Sequence, residues 1–247
     1  MSNEVNRAFS LIEVLVSVAI VAVLLCLLLP ALVRARDAGY RTVCSQNLRQ
    51  THIAWDSYLA AHKEMYPQFG TSPEWQYGGV EFPEGSEVPL LATDRPINRY
   101  VAQDVQRQSS EMVEIFRCPA DRGVYQRGAA ARGGVGASVL LRGTCFREFG
   151  NSYRANGLLL DSTLAGIDRQ ARPLFDHEIK VDRSRLLLTG DSAWYYAMPG
   201  ADATQSGLDA TWHGKQDAGN MLAADGSVRF VNFSGDDRAR ITLNPRP

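Results

Sequence analysis

The feature that most constrains this chain is an apolar stretch near its N-terminus, Phe9 to Val33, which reads FSLIEVLVSVAIVAVLLCLLLPALV. It contains one charged residue, Glu13, and the twenty residues from Val14 to Val33 carry no charge. Twenty helical residues rise about 30 Å, which matches the hydrocarbon core of a bilayer. A helix on the surface of a soluble domain keeps a polar face, and this stretch has none. The sequence therefore predicts a membrane-spanning helix that carries the rest of the chain.

The residues before this stretch do not form an ordinary signal peptide. Residues 1–8 carry Glu4 and Arg7, and the small residue next to a plausible cut, Ala8, lies before the apolar core. A secretory signal is cut beyond its apolar core. A cut after Ala8 would instead retain the helix and expose Phe9 as the new N-terminus.

The order of residues here resembles the class III leader and N-terminal helix of type IV pilins and type II secretion pseudopilins. The residues that carry the resemblance are Arg7-Ala8 and the following segment FSLIEVLV, 9–16. It implies that prepilin peptidase cuts between Ala8 and Phe9 and methylates the new amino group of Phe9. It also implies a glutamate at the fifth mature position, which is Glu13. The family usually has glycine where this chain has Ala8.

Glu13 has two interpretations. Ser10 and Glu13 fit a capping box, and an acid in the first turn suits the helix dipole. Neither explains an ionisable group inside an apolar segment, where it costs about 2.5–3.5 kcal/mol near the bilayer centre. The resemblance implies that Glu13 meets the N-terminal amine of a neighbouring subunit during filament assembly. We favour assembly, and the two interpretations are compatible.

Pro30 predicts a kink or local melting of the helix, because proline removes a hydrogen bond and clashes with the preceding turn. The alternative is that Pro30 ends the span. Apolar spacing beyond it favours a continuous helix from about Ser10 to about His62, with Gly39 as a soft point. The predicted segments are a leader (1–8), a transmembrane helix (9–33), its amphipathic continuation (34–63) and an extracytoplasmic head (64–247).

Charge excludes some partners and leaves the orientation open. The 247 residues include 26 basic and 27 acidic residues, and no basic stripe predicts nucleic-acid binding. Arg34, Arg36 and Arg41 follow the span, which by the positive-inside rule would place that flank in the cytoplasm. The resemblance implies the opposite: a single pass through the inner membrane with the head outside the cytoplasm. We follow the resemblance, since long domains can translocate despite flanking charge.

The head carries three further segments that resemble a large group of pilin-like proteins. These are a CP-x-D segment, an S-Y-x-x-N segment, and a C-terminal His followed by Asp-Gly. In this group nine residues separate the His from the Asp-Gly, and here eleven do. The resemblance implies architecture rather than activity. The matching residues are Cys118, Pro119, Asp121, Ser152, Tyr153, Asn156, His213, Asp225 and Gly226.

Local patterns predict the elements of the head. Asp225-Gly226 between two apolar runs, within 220–233, predicts a two-residue hairpin with a type I′ turn. Leu186 to Thr189 and Trp194 to Ala197 are the other expected strands. The fold class is therefore α+β, with a long N-terminal helix packed on a small antiparallel sheet, as in pilins. Cys118 and Cys145 can form a disulfide in an oxidising compartment, and buried free thiols are the alternative.

Chemistry in the head is weakly indicated. Gly190-Asp191-Ser192 with His213 resembles an esterase nucleophile block, but the order and spacing depart from that family, so we expect no enzyme. A loop rich in acids makes structural calcium an option, and we otherwise expect no cofactor. His213 is expected to be a hydrogen-bonding loop residue rather than a zinc ligand. The candidate calcium ligands are Asp191, Asp202, Asp209 and Asp217.

Two functions remain at this stage. The first is a pilin-like structural subunit of a type II secretion or type IV pilus-like filament, with prepilin peptidase, other pilin-like subunits and the inner membrane as partners. The second is a membrane-anchored extracytoplasmic binding or hydrolytic protein that uses the prepilin N-terminus only for export. The two differ in whether Glu13 is needed for assembly.

Overall fold

A computed structural model describes eight segments of the chain: 11–69, 73–80, 91–101, 114–126, 143–161, 172–198, 208–209 and 211–246. They divide after Gly39 into two compact units. The first unit is the N-terminal part of a helix. The second unit contains the rest of that helix and the sheet.

Helix α1 extends from Leu11 to Ala61, a length of 51 residues. In the first unit every side chain from Leu11 to Val33 is exposed. Among the described residues, α1 is the one helix long and apolar enough to cross a membrane. Pro30 lies inside it, so the prediction that the helix continues past this proline is confirmed. The kink at Pro30 stays a prediction.

In the second unit the same helix becomes amphipathic. Its buried residues follow the 3.6-residue period and form one stripe, which packs on the sheet. The helix ends where Lys63 and Glu64 take positive φ angles of 55° and 60°. The Glu64 N–H then donates to the carbonyl of Leu59 at 2.8 Å. The stripe consists of Cys44, Leu48, Thr51, Ala54, Trp55 and Tyr58.

The sheet of the head has four antiparallel strands in the order β2-β3-β5-β6. A separate two-stranded ribbon pairs β1 with β4. In the main sheet Tyr153 lies opposite Asp191, and Gly190 lies opposite Met221. The strand bounds are Tyr125–Gln126 (β1), Tyr153–Ala155 (β2), Leu187–Asp191 (β3), Leu208–Asp209 (β4), Ala218–Ala223 (β5) and Val228–Asn232 (β6).

Short helices connect these strands, and one of them overturns a sequence prediction. The segment Trp194 to Ala197 was expected to be a strand, and it lies instead in a helix, Ala193–Ala197. Aromatic residues favour strands, but here the Trp194 indole N–H donates to the buried carbonyl of Arg154 at 3.0 Å. This tertiary contact outweighs local propensity. The helices are Pro73–Gln76 (α2), Asn98–Val101 (α3), Cys145–Phe149 (α4), Gly157–Leu160 (α5) and Ala193–Ala197 (α6).

The predicted hairpin between β5 and β6 is confirmed, but its predicted turn type is wrong. A type I′ turn needs positive φ at both central residues, and of this pair only Gly226 has it, at 83°. The loop has three residues, 224–226, because Ala223 N–H donates to the carbonyl of Ser227. This matches a type I turn followed by a left-handed glycine.

Aromatic side chains join α1 to the sheet. Trp55 stacks on Tyr77 with 5.4 Å between ring centroids. The Tyr77 hydroxyl in turn donates to the carbonyl of Tyr153 in β2, and it lies 3.1 Å from the Thr189 hydroxyl in β3. Burial raises the pKa of Tyr77 to about 12, so it keeps this proton. The predicted α+β, pilin-like fold is confirmed.

Candidate functional site

The apolar N-terminal end of α1 contributes Glu13, which lies in the first turn of the helix. The next polar residue along the same face, Ser17, donates its hydroxyl to the Glu13 backbone carbonyl at 2.7 Å. Glu13 is the one charged residue in the sequence from Leu11 to Val33. The expected processing residues Ala8 and Phe9, and the expected cap Ser10, lie outside the described residues.

The disulfide of the head differs from the expected one. Cys118 pairs with Cys44 of α1, with 5.3 Å between their Cα atoms, and not with Cys145. Cys145 is a buried free thiol whose pKa is raised by burial. The reason is tertiary: the buried stripe of α1 places Cys44 beside Cys118, where the CP-x-D segment begins. The predicted apolar stripe placed Cys44 on the buried face of α1 but did not identify its partner.

Asp121 of the CP-x-D segment is buried, and its carboxylate accepts hydrogen bonds from backbone N–H groups. One carboxylate oxygen accepts from the N–H groups of Gly123 and Cys145, at 2.9 and 3.0 Å. The other accepts from the Phe146 N–H at 2.9 Å and the Ser152 hydroxyl at 2.7 Å. Burial raises the pKa of Asp121, and these four hydrogen bonds oppose that shift. The carboxylate thus ties the start of α4 to the S-Y-x-x-N segment.

The residues of the S-Y-x-x-N segment also form hydrogen bonds inside the head. The Tyr153 hydroxyl accepts from the Asn47 side chain of α1 at 3.2 Å. Asn156 caps α5, accepting from Leu158 N–H, and donates its amide to the carbonyls of Leu187 and Leu243 at 2.9 and 2.7 Å. These motif residues therefore stabilise the junction of helix, sheet and C-terminal segment.

The C-terminal His and β3 form a buried polar centre. His213 Nε2 lies 3.0 Å from a carboxylate oxygen of Asp191, and both side chains are fully buried. The same oxygen accepts from the backbone N–H of Asn220 at 2.6 Å and from its side-chain amide at 3.1 Å. His213 Nε2 also lies 3.6 Å from Cys118 Sγ. Sequence analysis considered residues 190–192 and His213 together only as an esterase-like block, and it did not predict the contact between Asp191 and His213.

His213 reaches this centre through an unusual turn. His213 and Gly214 both have positive φ angles, 54° and 68°, and Lys215 N–H donates to the Trp212 carbonyl. These are features of a type I′ turn, the type expected at 225–226. Positive φ at a non-glycine residue costs of order 1–3 kcal/mol. The folded head tolerates this strained backbone conformation at His213, and the conformation directs the imidazole ring at Asp191.

The geometry does not form a Ser–His–Asp relay. Such a relay uses one imidazole nitrogen for the carboxylate and the other for the nucleophile, whereas here Nε2 faces both Asp191 and Cys118. The Ser192 hydroxyl donates to the carbonyl of Ser152 at 3.1 Å. The esterase-like pattern of 190–192 is therefore part of the sheet's hydrogen bonding.

Among the described residues, Asp191 is the one acid of the four proposed for calcium that belongs to a group of possible metal ligands. Asp191 lies with sulfur and nitrogen donors, and the ligand atoms grouped around it come from Cys44, Cys118 and His213, all within 4.8 Å of one another. Asp217 takes a positive φ of 52°. Asp209 is described through its backbone in β4, and Asp202 lies outside the described residues.

The Asp-Gly pair at 225–226 forms the tip of the β5–β6 hairpin. The Asp225 carboxylate accepts from the N–H and hydroxyl of Ser227, at 2.9 and 2.7 Å. A side chain at Gly226 would collide with the ring of His52 in α1. These residues shape the turn and let it approach the helix.

Comparison with known proteins finds one family. The model of the prokaryotic N-terminal methylation motif matches residues 5–28. No curated protein and no solved structure matches the chain significantly. The match covers the expected cleavage site, Glu13 and most of the apolar segment. The N-terminal segment is therefore prepilin-like, which supports a membrane-anchored precursor, and the match does not extend to the head.

Proposed function

We propose that the chain is a pilin-like, or pseudopilin, structural subunit of a type II secretion or type IV pilus-like filament, and not an enzyme. Prepilin peptidase cuts between Ala8 and Phe9 and methylates Phe9. The mature subunit sits in the inner membrane with its head outside the cytoplasm. The observation that carries the proposal is the methylation motif over residues 5–28. In its described part, residues 11–28, the helix surface is exposed and Glu13 is the one charged residue.

Glu13 favours assembly over simple anchoring. An anchor works best without an ionisable group. An acid costs about 2.5–3.5 kcal/mol at the centre of a membrane-spanning helix and less toward its end, where Glu13 lies. A positively charged amine from another subunit offsets that cost, because opposite charges attract strongly in a medium of low dielectric constant. Methylation leaves the Phe9 amine basic, so it can serve as this partner. Glu13 therefore favours contact between subunits.

The structural role of the motif residues supports a subunit rather than an enzyme. The polar groups of the motif residues form hydrogen bonds inside the head, as seen for Asp121, Ser152, Tyr153 and Asn156. Hydrolysis needs a nucleophile and a base that converge on one substrate. In the head these polar groups instead form internal hydrogen bonds that fix the sheet against the amphipathic half of α1.

Processing is tested by mass spectrometry of the mature N-terminus after co-expression with a prepilin peptidase. We expect a chain that starts at N-methylated Phe9, and Ala8→Gly should be processed at least as completely. A chain that keeps Met1 in the presence of an active peptidase would contradict the proposed maturation.

Assembly is tested separately with Glu13→Leu, and Ser17→Ala is the matched control one turn further along. Both variants should be processed and inserted in the membrane. Chemical cross-linking in membranes that contain the cognate filament machinery should show wild-type and Ser17→Ala subunits in large assemblies and Glu13→Leu subunits outside them. Equal incorporation of all three would favour the alternative, a binding or hydrolytic protein that uses the segment only for export.

A further inference from the structure

We propose that the head binds one zinc ion when Cys44 and Cys118 are thiols. The ligands are the two sulfur atoms, Nε2 of His213 and a carboxylate oxygen of Asp191. This site is independent of the filament proposal, because all four residues lie in the second unit and none belongs to the membrane-spanning segment.

The four ligand atoms are already gathered. They lie within 4.8 Å of one another, and all four residues are buried, with at most 2% exposure. A zinc tetrahedron with bonds of about 2.0–2.3 Å separates its corners by roughly 3.3–3.8 Å. The Nε2 to carboxylate distance is 3.0 Å, and the Nε2 to Cys118 Sγ distance is 3.6 Å. Small side-chain shifts would therefore complete the coordination.

The surroundings position the Asp191 ligand. Asn220 holds the Asp191 carboxylate with two donors, which is the role of an outer-shell partner. Gly219 leaves room for it, since a Cβ there would lie 2.7 Å from Asp191 Cβ. The second Asp191 oxygen, Oδ1, is buried and has no hydrogen-bond partner among the described residues. Buried carboxylate oxygens are normally paired, so this oxygen is open for a ligand.

The donor set selects the metal. Two thiolates, an imidazole and a carboxylate suit Zn²⁺, whereas calcium takes six to eight oxygen ligands. Binding is redox-neutral: Cys44 and Cys118 release their thiol protons to water, and His213 Nε2 releases any proton it carries. The disulfide form cannot bind in this way. It must first be reduced by two electrons, either by a dithiol, which also supplies the two protons and becomes a disulfide, or by a phosphine, which becomes a phosphine oxide while water supplies the two protons.

Zinc binding is tested on the full chain in detergent micelles, in a Cys26→Ser, Cys145→Ala background. Only Cys44 and Cys118 then remain as thiols, since the chain has four cysteines. The protein is reduced with a phosphine, treated with a chelator, mixed with zinc chloride and desalted, and its metal is measured by mass spectrometry. We expect one zinc per reduced chain and none per oxidised chain.

Single ligand variants show whether the whole cluster binds. Asp191→Asn and His213→Gln should each weaken zinc affinity by more than the about 10–100-fold typical of losing an outer-shell partner. His177→Gln and Asp225→Asn, which change an exposed histidine and an exposed acid, should not weaken it. Unchanged affinity in both ligand variants would overturn the proposal, because the thiols alone would then account for the metal.

Cobalt provides a readout that needs no variant. Reduced protein with Co²⁺ should show the intense visible bands of a tetrahedral site and a thiolate-to-metal charge-transfer band. Zinc should also raise the melting temperature of the reduced protein but not of the oxidised protein. Absence of the cobalt bands, or of stoichiometric zinc in the reduced wild type, would overturn the proposal even where a ligand variant fails to fold.

Discussion

The Cys44–Cys118 disulfide should be a major source of stability for the head. It closes a loop with a sequence separation of 74 residues. Restricting the unfolded chain through a loop of that length costs it about 15 cal/mol/K of entropy, which is about 4.5 kcal/mol at 25 °C. Domains of this size are stable by only about 5–15 kcal/mol in total. Reduction should therefore remove a large fraction of the free energy of unfolding.

The measurement compares oxidised and reduced wild-type protein by urea unfolding, with a chelator present so that bound metal does not offset the loss. Tryptophan fluorescence follows the head, because each of the four tryptophans lies in the second unit and is at most 3% exposed. We expect reduction to lower the free energy of unfolding by about 2–4.5 kcal/mol, a range bounded by the typical effect of a disulfide and by the entropic value for this loop. The four reporters are Trp55, Trp75, Trp194 and Trp212.

Cys145→Ala is the matched control for this comparison. It also removes a buried thiol, but it leaves the disulfide intact, so reduction should destabilise it as much as the wild type. Cys44→Ala should resemble the reduced protein whether or not reductant is added. The reasoning fails if peptide mapping finds Cys118 linked to Cys145, or if reduction leaves the unfolding midpoint unchanged.

Two further perturbations test the packing of the head. Hydrogen bonds from Arg172 and contacts with Arg246 lower the pKa of Glu178 from 4.5 to about 2. The stabilisation that this carboxylate gives is therefore present above pH 4.5 and is lost as the pH falls toward 2. Glu178→Gln should lower the urea midpoint at pH 7 and flatten this acid dependence. Gly226→Ala should cost at least about 1–2 kcal/mol, because the residue has a φ of 83° and a Cβ would collide with a histidine of α1. The control Gly39→Ala meets nothing within 4 Å and should gain up to about 1 kcal/mol of helix stability.

Periodicity made α1 predictable. An uncharged run long enough to span a bilayer, followed by an apolar stripe at helical spacing, leaves few alternatives. The expected end near His62 lies one residue beyond the observed last residue, Ala61. The β5–β6 hairpin was predictable for the same reason, because its Asp-Gly pair stands between two apolar runs.

Long-range pairing was not predictable. Three cysteines near the head leave several connectivities open, and only the packing of α1 on the head selects Cys44 as the partner of Cys118. The meeting of Asp191 and His213 depends on the pairing of β3 with β5 and on a left-handed turn. Neither the strand register nor the φ angle of a histidine is encoded in local composition. The helix at 193–197 was missed because the partner of Trp194 is 40 residues distant in sequence.

The placement of the chemistry separates two roles within one chain. The motif residues of the CP-x-D and S-Y-x-x-N segments have internal partners, so substituting them reports on folding. The Asp191–His213 pair differs, because it lies beside two sulfur atoms and is held by a strained turn. A purely structural centre is often as stable with apolar residues as with a buried ion pair. Retaining a strained histidine and a half-paired carboxylate beside two cysteines is better explained by a ligand than by stability. In that case the oxidation state of the Cys44–Cys118 pair decides whether the head is held by a covalent bond or by a metal, and the proposed assembly through Glu13 does not depend on that choice.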